Sequence, residues 1–350
     1  MPTCPSVCKC FWNAACLAVF LCGTTLPAQG EIASQHEFEA ALQTWASRLE
    51  ENPAFRVKAS LYRRVGEMLQ GSTLRTYCRS ASFTCDSRGQ GHIRLEYTSH
   101  WRLWQAFVSP ALEPRLTARE RRALAEARRL VAALPEACAA EKLLLLHDAL
   151  VARADYEMQG TDSAAELLLE HRGSCAAYSG ALWLLLHMAG IPAVIVEGTA
   201  GGPHGWNMVQ LEEKWYHVDA TWNDPLVGNV SAGMVSHAWF CLSDAEMKST
   251  HQWRKDDYPA ARGDVAWYFR RKGLYFNTFS DFWEAAMKAY TKGEASFEGY
   301  LETYGNRRQF MQQLELLSGR PGFPRSLSWV GPETGAGAVY LTFSRSRNER

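Results

Sequence analysis

The stretch GSCAAYSGALWLLLHMAGIP, Gly173 to Pro192, decides how this chain folds. Gly173 and Ser174 interrupt the backbone pattern, and Ala176 to Ala189 then runs on with Gly180 as its single weak helix former. Gly190 stands where a cap glycine closes a helix, and Pro192 cannot continue one. Ser174 suits the N-cap, so the spacing predicts a helix with Cys175 in its first turn. Unpaired N–H groups and the positive end of the helix dipole favour a thiolate there, and the same N–H groups can donate to a developing oxyanion. Leu182, Trp183, Leu184, Leu185, Leu186 and Met188 leave almost no polar face, which predicts a buried central helix. On this segment alone, a packed core cysteine is an equally good reading of Cys175.

The next two segments alter that balance. Ile191 to Val196 is apolar and β-branched, as a buried strand would be, and Gly198 to Gly205 reads as a flexible loop. Trp206 to Leu211 and Trp215 to Ala220 alternate well enough to form a hairpin turning at Glu212 and Glu213. A two-residue turn there would put Asp219 opposite Trp206, with His204 as its diagonal neighbour on the same face. Cys175, His204 and Asp219 then supply a nucleophile, a base and a carboxylate that orients the base. Other histidines read as packing groups. His147 lies among leucines and would bond Asp148 or a backbone carbonyl, His217 shares strand parity with Asp219 and sits near the site, and His251 is expected to be structural. No CxxC, HExxH or His-rich spacing accompanies the three residues, so no metal is expected.

The block GSCAAYSGA, VEGTA, HGWNMVQL and KWYHVDATWNDP resembles the transglutaminase-like cysteine-enzyme superfamily. It is most similar to the bacterial branch related to kyphoscoliosis-type peptidases and cytokinesis-protein-type domains. The resemblance extends upstream through Leu116–Val131 and Glu141–Glu157, which look like two lead-in helices, and downstream through Trp239–Trp253. It implies an α+β fold with a papain-like core, in which a Cys-bearing helix packs on an antiparallel sheet. It also implies Cys175, His204 and Asp219 as the catalytic set, protein or peptide amides as substrates, and either hydrolysis or amine transfer as the outcome. No cofactor is implied, and no acidic loop supports calcium. Ala176 and Ala177 depart from the family's usual residues after the Cys, Gly205 stands where alanine is usual, and Asn223 stands where Asp is common. Tyr156 and Gln159 are candidates for a second oxyanion donor. The altered neighbours leave open a binding or scaffolding protein at the cell surface that turns nothing over.

Composition sets outer bounds. The chain has 350 residues, 47% hydrophobic, which suffices for two or three modules. Lys+Arg and Asp+Glu each number 37, so no charge excess argues for nucleic acid or an anionic membrane as partner. Arg119 to Arg129 is basic but interleaved with Glu120 and Glu126, as on the solvated face of an amphipathic helix. At the start, Lys9, the apolar run Phe11–Leu26 and the small residues near Ala28 and Gly30 read as an export signal over residues 1–30. A retained anchor is the alternative. An extracytoplasmic protein, secreted or periplasmic, is therefore expected. Removal of that segment would leave Cys78, Cys85, Cys138, Cys175 and Cys241. Cys78 and Cys85 read as a disulfide across a polar loop; Cys138 and Cys241 would either pair or stay free.

The two ends share a weak likeness. FEAAL (Phe38–Leu42) and FWEAAM (Phe282–Met287) each stand at the start of a helix–strand–helix pattern, which suggests a duplicated small α/β unit, with chance similarity between amphipathic helices as an equally good reading. The expected organisation is an α/β unit over 31–112, a transglutaminase-like core over 113–258 and a second α/β unit over 259–350.

Overall fold

The computed structural model describes residues 31–61, 64–65, 69, 77–86, 89–224, 235–324, 326–331 and 337–344. The expected export segment lies outside these residues. The fold is α+β and divides into two compact units, meeting in sequence at Gln105 and Ala106. Among the described residues no helix is long and apolar enough to cross a membrane.

The first unit holds β1 (Glu31–Ile32), α1 (Gln35–Ser47), β2 (Ala54–Val57), β3 (Cys78–Cys85) and β4 (Gln90–Tyr97); α2 (Ser99–Val108) leads out of it. Ser34 caps α1 in a reciprocal box with Glu37, and Phe38, Ala41 and Trp45 form its buried stripe. The four strands run in the order β1-β2-β4-β3. β3 corrects the expected disulfide. Cys78 and Cys85 begin and end one strand, about 23 Å apart at ~3.3 Å per residue, beyond the ~7 Å reach of a bridge. Cys138 lies beside Glu141 at a helix start, and Cys241 is a fully buried thiol.

In the second unit, α3 (Ala118–Ala132) and α4 (Ala139–Val151) precede β5 (Asp155–Tyr156), α5 (Ala164–Glu170), β6 (Arg172–Gly173) and α6 (Cys175–Met188). Then come β7 (Ala193–Thr199), β8 (Pro203–Leu211), β9 (Lys214–Val218), β10 (Phe240–Leu242), α7 (Asp244–Met247) and β11 (Gln252–Trp253). These five strands form an antiparallel sheet ordered β10-β9-β8-β7-β11. α6 packs on β7 and β8, with α3, α4 and α5 around it, and every residue from Ala177 to Leu186 is buried. An all-apolar helix has no face to give to water, so its surroundings must enclose it.

The chain closes with α8 (Trp267–Lys272), β12 (Tyr275–Phe276), α9 (Phe279–Thr291), β13 (Ser296–Leu301), α10 (Arg307–Ser318), β14 (Ser326–Val330) and β15 (Gly337–Ser344). This last sheet is ordered β12-β13-β15-β14. It begins with a parallel pair and continues antiparallel, in the pattern of the first unit's sheet. Phe38 and Phe282 of the two short likenesses are both fully buried.

Candidate active site

Cys175 is the first residue of α6. The Ser174 side chain accepts from the Ala176 N–H, its N–H donates to Thr161 O (2.9 Å), and its hydroxyl donates to Asp162 (2.5 Å). The loop before the helix is therefore fastened on both sides of the cap, and the half-buried thiol is presented from a rigid start.

His204 sits within β8, opposite Gly198 of β7. The expected loop over Gly198–Gly205 is mostly strand, with the turn confined to Ala200–Gly202. Gly198 is needed for close approach: a Cβ there would meet Gln252 O of β11 at 2.1 Å and the Trp206 ring at 2.8 Å. The hairpin to β9 turns on Glu212 and Glu213, both at positive φ (49° and 66°), as a two-residue turn of the primed type requires. Asn207 pairs with Val218 in this register, so continuing it sets Trp206 against Asp219 and His204 on the diagonal. His204 Nε2 lies 2.7 Å from Asp219 Oδ2. The ring's other nitrogen is left over by that bond, and the electrostatics couple the Cys175 thiol to His204 and to the Gly205 backbone.

The electrostatics are those of an ion pair held by a buried anion. Burial alone would push the Cys175 thiol up, but the bonds from His204 and Gly205 and the imidazole charge bring it below its ordinary value. Burial would lower His204, yet its bonds to Asp219 and Cys175 and their charges raise it to about 9. Asp219 is wholly buried; burial opposes its charge, and the two histidines bonded to it prevail and lower it. Its Oδ1 accepts from the Thr221 and Trp222 N–H groups at 2.9 and 3.1 Å.

The second of those histidines is His251, whose Nε2 lies 3.0 Å from the same Oδ2 that His204 contacts. Sequence reading gave it a structural part only, because its partner lies 32 positions away and it belongs to the short return before β11. The available signal was a polar residue enclosed by aromatics, Trp239 and Trp253 in sequence, and Trp206 and Trp222 in space. His217 is not brought to the thiol. Trp206 Nε1–H donates to its Nδ1 (2.9 Å), so its Nε2–H donates to Asp244 (2.9 Å) behind the site. Tyr156 is half-buried near the charges of Cys175 and Asp219, and burial foremost raises its hydroxyl, whereas Gln159 is exposed in the turn that follows. Asn207 donates to Ser179 O on α6 (3.0 Å), tying the histidine-bearing strand to the cysteine-bearing helix.

Among the described residues, two groups bring three possible metal-binding side chains together: His204, Asp219 and His251; and His147, Asp148 and His237. In the second, Asn223 Oδ1 accepts the Trp239 N–H (2.9 Å), so its amide nitrogen donates to His147 Nε2 (3.0 Å). The His147 proton therefore sits on Nδ1, facing Asp148 at 2.8 Å, and a protonated nitrogen is no metal ligand. His237 donates from both nitrogens, to Asp148 (3.0 Å) and Glu298 (2.9 Å). Burial would lower it, and the two carboxylates raise it to about 9. In the first group both Nε2 atoms are engaged with Asp219.

Residues 125–220 match the model of the transglutaminase-like superfamily. Human kyphoscoliosis peptidase is 28% identical over 80 residues, 19% of this chain and 12% of that protein. The chain thus spans about an eighth of that relative's length. Among solved structures, a TGase aligns with 58% of this chain and 61% of its own at 11% identity and a TM-score of 0.28. Legionella pneumophila LapG aligns with 32% of this chain and 70% of its own at 14% identity and a TM-score of 0.25.

Proposed function

We propose, from the premise that residues 125–220 belong to the transglutaminase-like superfamily, that this chain is a thiol-dependent acyl-transfer enzyme acting on protein or peptide amides. The observation that carries the reading is one imidazole held between a helix-start thiol and a buried carboxylate, with its Nε2 2.7 Å from Asp219.

In this reading Cys175 is the catalytic nucleophile. Its thiolate attacks an amide carbonyl carbon, and N–H groups at the start of α6 support the oxyanion. His204, protonated in the resting pair, gives its proton to the leaving amine as the C–N bond breaks, which leaves a thioester on Cys175. Water or a second amine then attacks the thioester, His204 takes the attacker's proton, and the thiolate is released. Asp219 keeps the ring turned and supports its positive charge throughout. The apolar run Phe11–Leu26 supports action outside the cytoplasm.

Iodoacetamide labelling, followed by mass spectrometry of the Cys175 peptide, tests the chemistry. Cys175 should react fast near neutral pH, and His204→Ala should slow it by about 10²-fold or more, in line with loss of a positioned base. A slow thiol indifferent to His204 would leave a binding protein on this fold. Amine incorporation into a glutamine-bearing protein, set against release of peptide or ammonia, separates transfer from hydrolysis.

A further inference from the structure

Asp219 Oδ2 is shared. His204 and His251 approach the same oxygen at 2.7 and 3.0 Å, and all three side chains are buried or nearly so. The His251 ring meets Trp206 in a T-shaped contact and Trp222 in a tilted one (ring centres 4.9 and 4.6 Å), and its Nδ1 lies 2.7 Å from the Thr250 hydroxyl. The ionised Asp219 can only accept, so the ring carries a proton on Nε2, aimed at Oδ2. The charged and titratable groups facing this cluster are Cys175 from α6, Tyr156 from β5, and His204 and Asp219 from the sheet. Behind His251 stand the bonded His217–Asp244 pair and Lys255.

We propose that His251 is a positioning residue for the reacting pair: its Nε2–H takes a share of the charge on Asp219 Oδ2 and so limits how tightly that carboxylate holds the His204 proton. This rests on the acyl-transfer reading of Cys175 and His204 and deepens it. A carboxylate that gives all of Oδ2 to one imidazole over-stabilises the imidazolium. The acid is then weaker and slower to release its proton to the leaving amine. A second N–H donor on that oxygen leaves the ion pair formed but the proton transferable. The two backbone N–H groups on Oδ1 keep the carboxylate oriented, so charge sharing on Oδ2 is separable from orientation.

The test compares His251→Gln, which can place a side-chain N–H near the position of Nε2, with His251→Met, which has the same reach and no donor. The readout is the pH titration of the His204 imidazolium, followed by NMR in the full chain, with thermal melting as the check on folding. The Gln variant should keep the native midpoint. In the Met variant the His204 midpoint should rise, by about half a unit or more, because the unshared carboxylate strengthens the imidazolium. A purely structural part for His251 would loosen the Asp219–His204 bond and move the midpoint down, or leave it in place; either overturns the proposal, as does an equal shift in both variants. Nitrogen-15 NMR of the native imidazole needs no variant: an Nε2–H tautomer supports the proposal and an Nδ1–H tautomer overturns it. If native Cys175 shows no fast, His204-dependent alkylation at all, the acyl-transfer reading itself fails, and that result is distinct from any of these.

Discussion

On one sulfur atom, burial and a neighbouring imidazole act in opposite directions, and the imidazole prevails. Cys175 is lowered while His204 is raised to about 9, so the thiolate–imidazolium pair exists from below the ordinary thiol range up to about pH 9. Alkylation of Cys175 should rise at the acid end of that window. Turnover, which also needs the His204 proton, should fall again as pH passes about 9; a turnover profile still rising there would contradict the pairing. Gly205 gives a second check at this scale. It is not among the positive-φ glycines, and a methyl group would meet Ser179 Oγ at 3.6 Å and Val196 O at 3.7 Å, which is ordinary contact. Gly205→Ala should therefore stabilise the fold by about 0.5 kcal/mol through the unfolded chain, as read by urea titration. Cys175, His204 and Asp219 were legible in sequence because local rules, a helix cap and a two-residue turn, fix their places. His251 was not, since nothing local says that a return strand lays its preceding residue against Asp219.

Elements divide in the same way. α6 could be read from its caps and its unbroken apolar run, and the β8–β9 hairpin from alternation. Two glutamates in the left-handed region carry that turn, each at a cost a glycine would not bear. Glu213→Gly should raise stability by about 1 kcal/mol, measured by chemical denaturation, and an unchanged or lower value would show that the turn is not of this type. Gly198 misled in the opposite direction. It looks like loop flexibility in sequence, but its bare Cα makes room for Gln252 of β11, a contact 54 positions away that no local pattern encodes. β3 was missed because RSASFT carries little hydrophobicity. It is an exposed edge strand needing only one side filled, and its two terminal cysteines imitate the ends of a bridged loop.

At the scale of the whole molecule, the end sheets share strand order and directions, and FEAAL and FWEAAM lie on the helix between the first two strands of each. The closing sheet also reaches into the core. Glu298 of β13 accepts from the Ser236 hydroxyl, the His237 N–H and the His237 ring, while Tyr268 of α8 stacks on that ring at 4.2 Å. Because the folded state raises His237 from 6.5 to about 9, this stabilisation is complete below pH 6.5 and is lost as pH climbs through about 9. Tm should fall across that interval. Glu298→Gln should cost about 3 kcal/mol at pH 6.5 and flatten the decline, and an unchanged slope would show that His237 is not charged. The neighbouring run of bonds has a fixed polarity: the backbone of Trp239 gives to Asn223, Asn223 to His147, and His147 to Asp148. A carboxylate at position 223 has no hydrogen to pass along, so an Asp there would demand a reversed or doubly protonated ring at 147. Those two sites are thus bound to evolve together, and a lone Asn223→Asp exchange would strand a buried charge that a matched change at His147 could relieve.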